Sequence, residues 1–152
     1  MRPDARDRLW YGTMMRRLLL TAGLPLLLGA SPGATVEVAV TGVKLAKGKV
    51  RVSICDQATF LKECRWNAAA PAVQGTTIVT VRNLPPGRYA AQAFHDKNDN
   101  DKVDRGLFGI PLEGVGFSRD AKIRMSPPKW DEAVFDHGRS DQRIGFALRY
   151  FV

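Results

Sequence analysis

Between His95 and Asp104 the chain reads His-Asp-Lys-Asn-Asp-Asn-Asp-Lys-Val-Asp. Asp96, Asn98, Asn100 and Asp104 stand at offsets of zero, two, four and eight. Oxygens spaced this way can curl a loop around one hard cation, and Ca²⁺ takes six to eight of them. Against a twelve-position calcium loop, Asp96, Asn98 and Asn100 fill positions one, three and five. Lys102 offers its carbonyl at seven, and Asp104 stands at nine. Two positions depart. Asp101 replaces the turn-making Gly at six, which Asp tolerates because its short polar side chain admits left-handed backbone. Leu107 stands at twelve, where a bidentate Glu belongs, and Glu113 would supply that ligand only if the chain folds back. Asp96, Asp99, Asp101 and Asp104 are interleaved with Lys97, Lys102 and Arg105. Any Ca²⁺ affinity is therefore expected in the weak extracellular range of about 10⁻⁴–10⁻³ M. The competing reading is an Asx-rich connection whose side chains bond its own backbone N–H groups.

Other constellations carry less. His95, Asp96, Glu113 and His137 are imidazole and carboxylate groups of the kind that bind transition metals, but no two share a short ligand spacing. Asp96, Asp104 and Glu113, with His95, would serve a metal-assisted hydrolase only if they converged in a concave pocket. This is the enzymatic alternative. In Gly114-Val115-Gly116-Phe117-Ser118-Arg119 the third Gly of a dinucleotide fingerprint is replaced by Arg119 and no helix follows, so that function is rejected. Ser118 lacks the G-x-S-x-G elbow of a hydrolase nucleophile. The glycines instead suit a compact Ω-like loop, packed over the domain by Phe108, Ile110 and Phe117. Trp66 and Trp130 are read as core or edge packing rather than as a binding surface.

The elements that must position these residues begin after a leader. Met14-Met15-Arg16-Arg17 precedes Leu18 to Leu28 and a small-residue tail, Gly29-Ala30-Ser31-Pro32-Gly33-Ala34. Two arginines, an apolar run and small residues form a secretory signal peptide. The run is too short for a membrane span of about 20 residues. Cleavage is expected after Ser31, Gly33 or Ala34, with translation starting at Met1, Met14 or Met15. Residues 1–34 are thus an extension plus signal peptide, and residues 35–152 are one domain. The mature chain is expected in the periplasm or outside a bacterial cell, with no transmembrane segment.

Residues 1–34 hold five arginines and two aspartates of the 23 basic and 15 acidic residues, so the mature chain keeps 18 and 13, a net +5. Those charges form no block, which argues against nucleic-acid binding. Cys55 and Cys64 are the only cysteines. In an exported chain such a pair forms a disulfide, and closing that loop contributes roughly 2.5–3 kcal/mol. Cys-x8-Cys has neither redox nor zinc spacing.

Thr35–Val43, Val50–Cys55, Thr76–Val81, Arg88–His95, Glu132–Phe135 and Gln142–Tyr150 alternate or are rich in β-branched and aromatic residues, and read as strands. Thr59–Arg65 is a short irregular or helical excursion, Ala68–Pro71 a loop, and Asn83-Leu84-Pro85-Pro86-Gly87 a sharp turn. Six or seven short strands without helical periodicity predict an all-β, antiparallel β-sandwich.

Leu84-Pro85-Pro86-Gly87-Arg88-Tyr89-Ala90, the His95–Asn100 run with Asp104, and Phe108-Gly109-Ile110-Pro111-Leu112-Glu113-Gly114-Val115-Gly116-Phe117-Ser118 follow in this order. Together they resemble a bacterial family of exported domains, domain-of-unknown-function family 2141, over about Val36 to Leu148. Pro127-Pro128 followed by Trp130 to Phe135 fits the next segment. Family members carry N-x-N-G-x-x-D at the acidic loop, where this chain has Asp101 in place of Gly. The Cys55–Cys64 pair belongs to a subset. The resemblance implies a transthyretin-like or immunoglobulin-like sandwich and carries no activity. The leading expectation is a non-enzymatic envelope module that binds a protein or polysaccharide through its loops, with Ca²⁺ as the one cofactor considered. A scaffold without ligand is the bland alternative.

Overall fold

The computed structural model describes residues 33–151. The expected extension and nearly all of the signal peptide fall on residues 1–32, outside the described residues. β1 (Ala34–Val43) pairs antiparallel with β4 (Gly75–Leu84) on one side and parallel with β8 (Gln142–Ala147) on the other. The second sheet runs β3 (Trp66–Pro71), β2 (Lys49–Cys55), β5 (Gly87–Asp96), β6 (Val115–Phe117). β7 (Val134–His137) pairs with the first half of β5, on residues Gly87–Ala90.

The two sheets form an all-β sandwich because their alternating residues face one another. Val36, Val38 and Val40 of β1, Val79 and Val81 of β4, and Val50, Val52 and Ile54 of β2 are buried together with Phe146 and Leu148. Burial of each such side chain contributes roughly 1.5–3 kcal/mol.

Four expectations need correction. Ala68–Pro71 is not a loop: Ala68 and Ala70 pair with Val52 and Val50 and pack against the core, so tertiary pairing overrides the poor strand propensity of Ala. Val115–Phe117 is a strand within the glycine-rich connection. Trp130–Ala133 makes one helical turn, with the Lys129 N–H bonded to Glu132 Oε2, so the strand expected from Glu132 begins at Val134. The β1–β8 pairing is parallel, and the long connection that parallel strands need is the chain from β2 to β7 between them.

A second apolar cluster lies on the outer face of the second sheet. Cys55, Cys64, Phe60, Ala90, Phe117 and Ala133 form it, with Trp130 against them. Phe60 meets the rings of Phe117 and Trp130 edge-on at 6.1 and 5.6 Å. The Cys55–Cys64 disulfide is formed and ties the excursion back to the end of β2. Trp66 packs edge-on to Tyr89 at 5.3 Å.

Strand β5 carries both faces of the candidate site. Tyr89, Ala91 and Ala93 enter the main core and His95 follows them inward, while Ala90, Gln92, Phe94 and Asp96 face outward. Register with β2 sets Arg51 opposite Phe94 and Lys49 opposite Asp96. Gly48, at a left-handed φ of +70°, passes so close that a Cβ would lie 2.0 Å from the Asp96 carbonyl oxygen.

Candidate functional site

The acidic loop is built around Arg51. Arg51 Nε donates to Asp96 Oδ2 at 2.6 Å, Nη2 donates to Asp99 Oδ1 at 2.8 Å, and the same nitrogen pairs with Asp101. Lys49 Nζ adds a 2.8 Å bond to Asp99 Oδ2. Asp96 is fully buried and also accepts the backbone N–H groups of Asn100 (3.0 Å) and Asp101 (2.9 Å). Those two bonds wrap the chain tightly enough that Asp99 and Asp101 adopt left-handed φ values of 57° and 65°. Left-handed backbone costs an ordinary residue roughly 1–2 kcal/mol, which the ion pairs and the Asp96 bonds offset.

Burial alone would push the Asp96 carboxyl up, but hydrogen bonds from Arg51 and from the Asp101 and Asn100 N–H groups hold it below its ordinary value. Asp99 is held low chiefly by Lys49. Asp96, chiefly through its hydrogen bond, raises the Arg51 guanidinium still further. Carboxylate oxygens of Asp96, Asp99 and Asp101 lie within 4.8 Å of one another, a spacing that a metal could bridge. The group that gathers them is the guanidinium of Arg51, which already bonds all three.

The other side of the loop opens on a shallow cleft of about 370 Å³ bordered by Lys47, Lys97, Asn98, Asp104 and Glu113. Asn98 Nδ2 and Asn100 Nδ2 donate to the two oxygens of Asp104 at 2.7 and 2.8 Å. Lys102 donates its N–H to Asn100 Oδ1. Glu113 is buried, and its oxygens accept the N–H groups of Lys97 (2.8 Å) and Asp104 (3.2 Å). The glycine-rich connection does fold back, and Glu113 braces the start and end of the acidic loop.

The remaining polar candidates are buried and engaged. His95 faces Tyr150 Oη and Lys47 O at 2.9 and 2.7 Å; His137 faces Gln142 Oε1 and Leu84 O at 2.9 and 3.1 Å. His137 pairs with Gly87 at one end of β5 and His95 lies at the other, roughly 26 Å along the strand. The imidazole–carboxylate cluster considered from sequence therefore does not assemble. Ser118 accepts the Ala91 N–H at 2.9 Å and donates to Ala133 O, a structural splice between β5 and the helical turn. Among the described residues no buried side-chain nitrogen or oxygen lacks a partner.

A larger feature went unnoticed in the sequence. Beside the second apolar cluster, the outer face of β2, β5 and β6 floors a groove of about 700 Å³. Gln92, Phe94, Val115 and Phe117 contribute to its floor, and the segments around Phe108 and Met125 rise beside it. Phe108 and Ile110 were expected to pack their loop down. Only Phe117 does: Phe108 is 97% exposed and Ile110 44%. The reason is the tight turn at Leu107–Gly109, closed by Gly106 N–H to Ile110 O and by the Arg105–Pro111 bridge, which turns Phe108 outward at φ 58°. The groove is assembled from residues 53 to 151, and no local periodicity announces it.

A family model described as "Uncharacterized protein conserved in bacteria (DUF2141)" matches residues 38–145. Searches of curated proteins and of solved structures find no match. Among the described residues no helix is long and apolar enough to cross a membrane.

Proposed function

The chain belongs to this uncharacterised bacterial family, and on that footing we propose that it is an exported, non-enzymatic binding module of the cell envelope whose ligand lies in the outer groove. The observation that carries the reading is the groove. At about 700 Å³ it falls in the size range of small-molecule sites, its lining is predominantly apolar, and few polar groups enter it. Such a lining suits an apolar body better than a polysaccharide. The carboxylates that a hydrolase would need are turned to other work: Asp96 holds Arg51, Asp104 holds two amides, and Glu113 holds backbone. The test is titration of residues 35–152 with the uncharged fluorophore N-phenyl-1-naphthylamine. Saturable enhancement that Phe94→Ser weakens is expected, and no saturable enhancement refutes the groove.

A calcium role rests on a separate observation. Asn98, Asn100 and Asp104 converge beside the cleft, and rotating the Asn98 amide would present its Oδ1 to Asp104 in place of Nδ2, whereas rotating that of Asn100 would also break its bond from the Lys102 N–H. A hard cation between them would supply the charge that makes the rotated form favourable, with Glu113, which bonds the Asp104 N–H, and the Lys102 carbonyl offered as further ligands and Asp96 bracing the loop. Lys47 and Lys97 on the cleft wall weaken such a site. Calorimetric titration should show binding at millimolar Ca²⁺ with a rise in melting temperature that chelator reverses. Absence of both heat and shift removes calcium from the reading.

A further inference from the structure

We propose that the outer groove takes a free, single-chain amphiphile with an anionic head group, its apolar body on the floor and its head against Arg105 and Arg124. This deepens the binding-module reading and rests on it. The charge distribution of the lining points to the ligand. Among the described residues Arg105 and Arg124 both border the groove, and no Asp or Glu does. Among the described residues no carboxylate pairs with Arg105 or Arg124. Arg105 gives one N–H to Gly109 O at 2.9 Å, which fixes the side chain at the rim with its other donors available. A guanidinium fork matches a carboxylate or phosphate in two parallel bonds.

The apolar half of the argument is equally specific. Phe94, Val115, Ile123, Phe108 and Met125 all line the groove and give it an apolar surface. Phe108 and Met125 present their side chains almost fully exposed. A groove of this volume holds one small ligand.

The experiment is displacement of N-phenyl-1-naphthylamine from residues 35–152 by three competitors with twelve-carbon chains, laurate and dodecyltrimethylammonium below their micelle concentrations and dodecanol below its solubility. Laurate is expected to displace at least tenfold more effectively than the other two. Arg124→Gln should reduce that preference several-fold, and Arg105→Gln with Arg124→Gln should abolish it while the neutral probe still binds. Equal displacement by all three, or a laurate preference unchanged in the double variant, overturns the inference but leaves the groove reading intact. Failure of the probe to bind overturns both. Cosedimentation with phosphatidylglycerol vesicles provides the last arm. Vesicle binding that needs both arginines, without laurate displacement, would replace the free amphiphile with a lipid surface and overturn the proposal.

Discussion

Replacing Arg51 with Gln removes the cation that three carboxylates share. Only one of those contacts carries much energy. Asp99 and Asp101 are 44% and 73% exposed, and ion pairs of that kind contribute about 0–1 kcal/mol each. The Asp96 side chain is 0% exposed and Arg51 only 22%. Stranding a buried charge by removing its partner costs about 3–5 kcal/mol. Here Asp96 keeps two backbone donors and Arg51 is partly solvated, so the expected loss is about 2–3 kcal/mol. For a domain of this size that is a fall in melting temperature of roughly 8–12 °C.

The loss should depend on pH. The Asp96 carboxyl is held below its ordinary value of 3.8 in the folded protein, so its contribution is full above that value and disappears as pH falls through the lower folded value. Without Arg51, the first of the contributions that lower the same carboxyl is lost, so its folded value moves upward from that of wild type. The gap between wild type and variant should therefore be widest above about pH 5 and shrink steadily below about pH 4 as Asp96 protonates in both folded and unfolded chains. Urea denaturation at a series of pH values measures it. A variant within about 0.5 kcal/mol of wild type at neutral pH, or a gap undiminished at low pH, would refute the assignment of Arg51 as the anchor of the loop.

Three further perturbations separate the other supports. Gly48→Ala combines a left-handed φ with a Cβ 2.0 Å from backbone, and should destabilise by at least about 2 kcal/mol in the same urea titration. Asp101→Gly relieves left-handed backbone while losing only an exposed ion pair, so stability should rise by about 0.5–1 kcal/mol; a fall in the denaturation midpoint would show that the Asp101–Arg51 pair outweighs the backbone term. Reducing the Cys55–Cys64 bond, or the double Cys→Ser variant, should cost roughly 2.5–3 kcal/mol by calorimetry, whereas an unchanged melting temperature would show that Phe60 and Trp130 hold the excursion unaided.

Local pattern made much of the fold legible. Val50, Val52 and Ile54, or Val36, Val38 and Val40, alternate so regularly that strand identity and buried face follow from pleat geometry alone. The Cys55–Cys64 pairing was equally accessible, because two cysteines nine residues apart have no other partner in the chain. Legibility failed where partner strands decide the structure. Ala68 and Ala70 carry no strand signal of their own and become strand residues through Val52 and Val50.

For the acidic loop, side-chain types alone established that its oxygens must be satisfied, by a cation or by the chain, and that Asp101 could turn left-handed. Which donors come to the loop depends on register: Arg51 is 45 residues away from Asp96, and β2–β5 pairing brings it there. Glu113 reaches the backbone N–H of Lys97 only because β6 returns beside β5. The groove lies furthest from sequence. Phe94 alternates like a strand residue and Phe108 sits among loop glycines, and nothing in either environment says that one floors and the other overhangs the same hollow. Periodicity records which way a side chain points along its own strand; it carries no record of what stands opposite after the sheets and loops close, and that is where binding surfaces form.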